Sequence, residues 1–226
     1  MIFSNFRCLI FEQQVMESDL FANRTEAGIL LSEKLLRYKG TDTLVLAIPR
    51  GGVPVGYEIA KRLQLPLGIL LSKKIGHPSN KEYAVGSVSL DSVIVNERTQ
   101  LPEEYIENEM IRLRKLLLEK QLLYMGNEKF PEVEGKNVIV VDDGIATGST
   151  VLVSIAMLRK KNAKKIIVAV PVVPSDNVEL FRQKSDEFVY LLAPYYFEAV
   201  GAFYEVFHQV EDEEVIRLLN EAKHLH

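Results

Sequence analysis

The 226-residue sequence is short of several things, and each shortage excludes a class of protein. It has one cysteine, Cys8, so neither an intramolecular disulfide framework nor a cysteine-built zinc cage is available. It has no run of about 18 to 20 apolar residues, the length that a membrane-spanning helix requires. Positive charge is not in surplus: 27 Lys and Arg stand against 31 Asp and Glu, for a net charge of −4. No global basic field therefore draws the chain to nucleic acid or to an anionic membrane. The first eleven residues are mildly apolar, but Asn5 and Arg7 interrupt them and no small-residue cleavage site follows, which makes a poor signal peptide. Repeats, low-complexity tracts and interdomain linkers are lacking as well. What remains is 47% hydrophobic residues and length enough for one core. The expectation is a single domain over 1–226 in a reducing, cytoplasmic setting, with residues 1–15 as an accessory tail.

The apolar pattern alternates between strand and helix signals. Leu44 to Ile48 is a continuous apolar run, the form of a strand buried on both faces. Gly51-Gly52 breaks it, Pro54 suits a first helical position, and Val55, Ile59, Ala60 and Leu63 follow at helical spacing. Leu67 to Leu71 reads as the next strand, reached by a parallel crossover. The second half repeats the scheme. Strands at Val138 to Val141, Ile166 to Val170 and Phe188 to Leu192 alternate with helices carrying Leu152, Ile155 and Leu158, and spanning Asn177 to Lys184. This predicts an α/β fold with a largely parallel central sheet flanked by helices.

Some segments stand apart. A helix around Thr25 to Tyr38 precedes the first strand. Lys73 to Glu97 begins with turn-rich Gly76 to Asn80 and reads as a mobile excursion, with a β-hairpin around Leu90-Asp91. Pro102 then opens a long helix with Ile106, Met110, Leu113 and Leu117 on one face, closed by Gly126. Residues 194–226 are rich in aromatics at first, and their acidic run Glu211 to Glu214 reads as a solvated helix start.

Chemistry concentrates in Val138 to Thr150, VIVVDDGIATGST. In an open parallel sheet, ligands bind at the carboxyl ends of strands, and this strand ends in two carboxylates, Asp142 and Asp143. Thr147-Gly148-Ser149-Thr150 then enters a helix, where amides, hydroxyls and the helix dipole make an anion site suited to a phosphate monoester. Carboxylates accept from sugar hydroxyls and amides donate to phosphate, so the pair suits a ribose 5-phosphate. Two other phosphate-binding motifs do not fit. A P-loop needs four residues between its glycines and then a Lys, whereas Gly144 and Gly148 have three between them and Ser149 follows. Gly51, Gly52 and Gly56 have the wrong spacing for a dinucleotide fingerprint.

The thirteen residues from Val138 resemble the signature of the type I phosphoribosyltransferases for 5-phosphoribosyl 1-diphosphate (PRPP). The resemblance covers most of the chain from about Phe21, and the whole sequence resembles a bacterial subgroup with AIPRGGVPVG, here Ala47 to Gly56, and an FEAVGAFYE-like segment, here Phe197 to Glu205. It implies that Asp142 and Asp143 hold the ribose hydroxyls and that Ala146, Thr147, Gly148, Ser149 and Thr150 bind the 5-phosphate. It implies pyrophosphate contacts from Arg50, Gly51 and Gly52, with a non-proline cis peptide at Pro49–Arg50. Lys73 and Lys74 open the segment matching the family's flexible catalytic loop. A small hood from the chain ends would receive the base, with Phe21, Arg24, Phe197 and Phe203 as its candidates.

The reaction implied is displacement of pyrophosphate by a base nitrogen at the anomeric carbon, with Mg²⁺ held mainly through PRPP and no protein metal cage. Ala146 stands where members acting on 6-oxopurines carry an acid. The alternative is a non-catalytic sensor of PRPP or a nucleotide on the same fold. Partners are expected to be PRPP and a nucleobase-like acceptor, with no nucleic acid and no membrane, in a homodimer.

Overall fold

A computed structural model of the chain describes residues 20–95, 101–128 and 130–225; Cys8 and the tail expected at 1–15 lie outside them. Five strands form one parallel sheet: β1 (Thr43–Ala47), β2 (Leu67–Ile69), and then, after a long interval, β6 (Asn137–Val141), β7 (Lys165–Val172) and β8 (Glu187–Leu192). Their spatial order is β2-β1-β6-β7-β8. The apolar runs are continuous because both faces are covered, and the strand period of two divides them between two cores. Leu44, Leu46, Val138, Val140, Ile166 and Val168 face one way, against Ile155 and Leu158 of α4 (Ser149–Lys160) and Phe181 of α5 (Val178–Lys184). Val45, Ile139, Val141, Ile167 and Ala169 face the other way. There they meet Leu31 of α1 (Arg24–Lys34) and Val55, Ile59 and Leu63 of α2 (Gly52–Leu63). The predicted α/β fold, with its parallel sheet flanked by helices, is what the chain adopts.

The interval between β2 and β6 folds differently from its predicted form. Ser72–His77 is a strand, β3, paired antiparallel with β4 (Asn80–Ser89), and β4 pairs in turn with β5 (Val93–Val95). The hairpin around Leu90-Asp91 is present, and Lys73 to Val85, the start of the excursion, forms a second hairpin with a strand of its own at Ser72–His77. The turn signals belong to a tight reversal between His77 and Asn80. This small sheet packs on the long helix α3 (Glu103–Met125), which Pro102 opens and Gly126 ends. Ile75, Val85 and Val88 of the sheet and Leu113 and Leu117 of α3 make a separate core, and the Tyr105 hydroxyl donates to the Gly76 carbonyl at 2.6 Å.

The C-terminal helix α6 (Asp212–Ala222) lies away from the hood. Its Val215, Leu218 and Leu219 pack against Ala47, Val53, Ile69 and Tyr124. The hood is a short 3₁₀ turn, Val200–Phe203, tied to the N-terminal segment. Phe21 N–H donates to the Phe203 carbonyl at 2.9 Å, and Glu205 N–H donates to the Phe21 carbonyl at 2.8 Å.

Candidate active site

Strand order decides where a ligand can enter. The chain leaves β1 toward β2 on one side, and leaves β6 toward β7 and β8 on the other. The loops after β1 and β6 therefore diverge and leave a crevice at their carboxyl ends, the switch point of such sheets. These two loops are Ile48 to Gly51 and Asp142 to Gly148. They are joined at their root, where Ile48 N–H donates to the Val141 carbonyl at 2.8 Å, and the Pro49–Arg50 peptide is cis.

The two glycines of the first loop are where it meets the second. A Cβ on Gly52 would stand 2.7 Å from the Val141 carbonyl oxygen and 2.9 Å from the Asp142 Cα, and one on Gly51 would collide with the Asp143 carboxylate. Only bare backbone lets the loops touch. Gly148 has a second reason to be glycine, a φ of +73° at the entrance of α4. The N-cap Gly148 has no side chain to offer that helix and its first amide makes only a long 3.5 Å contact with Thr147 Oγ1, so the first turn leaves amides for an anion.

A cavity of about 960 Å³ fills the crevice. Arg50, Lys73, Lys74, Asp142, Thr147, Ser149 and Thr150 line it, so one space brings together residues named from three separate segments. Gly51, Gly52 and Gly148, also named from the sequence, are not among the residues that line it. Ala146 lies just outside, its carbonyl accepting from Asn177 Nδ2 at 2.9 Å.

The two acids differ. Asp142 faces the cavity, and its Oδ1 accepts from the Asp143 amide at 2.9 Å. Desolvation, reinforced by the charge of Asp143, holds its carboxyl well above the ordinary value. Asp143 turns away from the cavity, where Arg24 Nε and Nη2 grip its Oδ2 at 2.9 and 2.8 Å. Burial raises its pKa and Arg24 opposes the rise. The Tyr204 hydroxyl donates to the Asp143 carbonyl at 2.6 Å, and burial first, then the charge of Asp143, keeps that phenol protonated.

The hood candidates are not equivalent either. Phe21 is buried, its ring 5.3 Å from that of Tyr204, so it packs the hood from within. Arg24 also donates to the His208 carbonyl at 2.8 Å and lies 3.8 Å over the Phe207 ring. Phe197 and Phe203 stack at 5.4 Å and stay partly exposed. None of the four lines the cavity.

The cavity residues of α3 that escaped the sequence reading include Arg112, Leu116 and Lys120, and Tyr124 near its end. Their spacing was the available signal, since Arg112, Leu116 and Lys120 recur at four-residue steps along one helix face. Among the described residues, no group of three or more His, Cys, Asp or Glu side chains is placed to hold a metal ion.

The model of the phosphoribosyl transferase domain matches residues 20–191. The chain belongs to that family. Two curated proteins from Mycobacterium tuberculosis strains, provisionally named as phosphoribosyl transferases, are 37% identical over 209 residues. The match covers 90% of this chain and 47% of each of theirs, so the chain spans about half the length of these curated relatives. The crystal structure of TT1426 from Thermus thermophilus is 34% identical, with a TM-score of 0.83, and covers 89% of this chain and 98% of that one. Among the described residues no helix is long and apolar enough to cross a membrane. In this phosphoribosyl transferase domain the loops after β1 and β6 meet at the switch point, and among the described residues Asp142 is the one carboxylate that lines the cavity, beside several cations.

Proposed function

We propose that the protein transfers the 5-phosphoribosyl group from PRPP to a nitrogenous base and releases pyrophosphate. The observation that carries this reading is the shared cavity at the switch point. A helix N-terminus entered through a glycine, a carboxylate and a set of cations from the β1–α2 loop, β3 and α3 face one space there, and PRPP requires those three features for its phosphate, ribose and diphosphate. The α4 amides with Thr147, Ser149 and Thr150 would hold the 5-phosphate. Asp142 would accept from the ribose hydroxyls, with Asp143 positioning it from behind through the Asp143 amide. Arg50 would meet the diphosphate with Lys73 and Lys74, and their charge would stabilise the leaving group as the anomeric C–O bond breaks.

The acceptor nitrogen then forms the new C–N bond and gives up its proton. Asp142 and the Ser149 and Thr150 hydroxyls are oxygen donors of the kind that Mg²⁺ accepts, and most of its coordination would come from PRPP and water. When bound, the ion supplies neutralising charge to the diphosphate. Phe197 and Phe203, the hood aromatics that keep open surface, offer a face on which a heterocycle could stack; Phe21 and Arg24 brace them. Alanine at 146 counts against a 6-oxopurine acceptor. The setting we infer is cytoplasmic, and a homodimer would give a partner to Ile111, Leu118 and Leu122, which are exposed on α3.

The test is a PRPP-dependent screen of purine, pyrimidine and nicotinate-like bases, with pyrophosphate release as the readout, together with Lys74→Ala. Turnover on one base, lost far more than PRPP affinity in Lys74→Ala, is the expected result. PRPP binding without turnover on any base would make the protein a sensor. Equal small effects of the lysine change on both would remove Lys74 from the reaction.

A further inference from the structure

Cations dominate the cavity. Among the described residues lining it, Arg50, Lys73, Lys74, Arg112 and Lys120 are basic and Asp142 alone is acidic. Such a wall repels itself when no ligand is bound, and the structure supplies a counter-ion from outside the lining set. Lys120 Nζ donates to Asp212 Oδ1 and Oδ2 at 3.0 and 2.8 Å, and the Tyr124 hydroxyl donates to Oδ1 at 2.5 Å. Arg50 Nη1 stands 3.7 Å from the same Oδ1 and 3.6 Å from Glu211 Oε2. One carboxylate at the start of α6 thus serves a cation of the β1–α2 loop and a cation of α3, 70 residues apart in sequence. Asp212 lies in the helix start predicted there, and its carboxylate is paired with cations of the cavity as well as being solvated.

The geometry also limits what this carboxylate can be doing. Both cations keep part of their surface open, Arg50 at 33% and Lys120 at 42%, and both line the cavity while Asp212 does not. Each can therefore swing an end from Asp212 toward an anion in the cavity without a change of backbone. The 5-phosphate has its own place at the α4 amides. The anion left for this wall is the one with the highest charge density, the diphosphate.

We propose that Lys120 is a diphosphate-binding residue held in reserve on Asp212, and that Asp212 competes with the incoming diphosphate for Lys120 and Arg50. The proposal rests on the phosphoribosyl-transfer reading above and adds a residue to it that neither family loop contains. Asp212 is then an internal competitor. Its removal should tighten binding, where removal of a merely supporting residue would loosen it.

That sign is the experiment. Calorimetric titration of the whole protein with inorganic pyrophosphate, and separately with PRPP, at one fixed ionic strength compares wild type with Lys120→Met, Lys120→Arg, Asp212→Asn and the Lys120→Met/Asp212→Asn pair. Lys120→Met is expected to weaken both ligands about tenfold, about 1.4 kcal/mol, and Lys120→Arg to restore most of the loss. Asp212→Asn is expected to tighten pyrophosphate about threefold or more, and to do so less when Lys120 is absent. Weaker binding in Asp212→Asn, or unchanged binding in a folded Lys120→Met protein that still takes PRPP, overturns this proposal alone. Wild-type protein that binds neither PRPP nor pyrophosphate overturns it together with the phosphoribosyl reading.

Discussion

The cavity has two walls made in different ways. One is the pair of loops after β1 and β6, where Gly52 meets the backbone of Val141 and Asp142, Gly51 meets the Asp143 carboxylate, and that second acid is clamped by Arg24. The other is the face of α3, which carries Arg112 and Lys120 on partly open side chains. The first wall is continuous with the core of the sheet, so its parts are constrained by packing. In the second, Lys120 leans on Asp212 and Arg112 on Glu109, through ion pairs that water can reach. Rigid backbone suits a ribose 5-phosphate, whose shape is fixed; adjustable cations suit a diphosphate, which must be held and then released. Substitutions in the first wall should therefore register mainly in stability, and those in the second mainly in affinity.

The largest effect expected is on the first wall. Arg24 and Asp143 are 11% and 15% exposed, and removing one member of so covered a pair strands the other. Arg24→Leu should cost about 3 kcal/mol of unfolding free energy, read by chemical denaturation. A loss no greater than that of Lys120→Met would erase the difference between the walls.

Asp142 belongs to the first wall but faces the cavity, and so should show both signatures with opposite signs. Asp142→Asn should reduce PRPP affinity at least tenfold, about 1.4 kcal/mol, in a titration. Its carboxyl is raised by burial and by the neighbouring charge of Asp143. A raised carboxyl makes folding easier in acid, and that benefit is lost as pH climbs through the folded-state value. The ligand-free Asp142→Asn protein should accordingly melt higher than wild type at pH 7 to 8, and the gain should vanish near pH 4. Parallel melting curves at both pH values would show that the acid carries no such penalty.

The smallest effect sets the baseline. Arg62 and Glu33 pair on the open surface between α2 and α1, 46% and 45% exposed. Arg62→Ala should cost less than about 0.5 kcal/mol and leave PRPP affinity untouched.

The same contrast explains what could be read in the amino-acid sequence. The parallel sheet was legible because each of its strands is an apolar run, and the first wall because its chemistry sits in contiguous residues, Asp142 to Thr150 and Pro49 to Gly52. Strand β3 was not. Ser72, Lys73, Lys74 and Gly76 are polar or small, and only pairing with β4 makes them a strand. Arg24 was read as a base contact because its partner lies 119 residues away. Lys120 sits beside the buried Leu113–Leu117 stripe of α3 and cannot be told from a solvated lysine until α6 brings Asp212 to it. What escaped was assembled by tertiary packing, of which local pattern carries at most the four-residue spacing of Arg112, Leu116 and Lys120.

The central strand pair has a consequence for how the molecule comes into being. Thr43 pairs with Asn137, and their side chains lie 94 residues apart in sequence. The chain-closure entropy for joining β1 to β6 must be met before any of the contacts that compensate it exist. The β3–β5 sheet and α3, all within that interval, can meanwhile bury Ile75, Val88 and Leu117 among themselves. A nascent chain would thus acquire its adjustable wall first, while the crevice that gives the wall something to face is among the last features to form. Until then, the apolar edges of β1 and β6 are exposed to other chains.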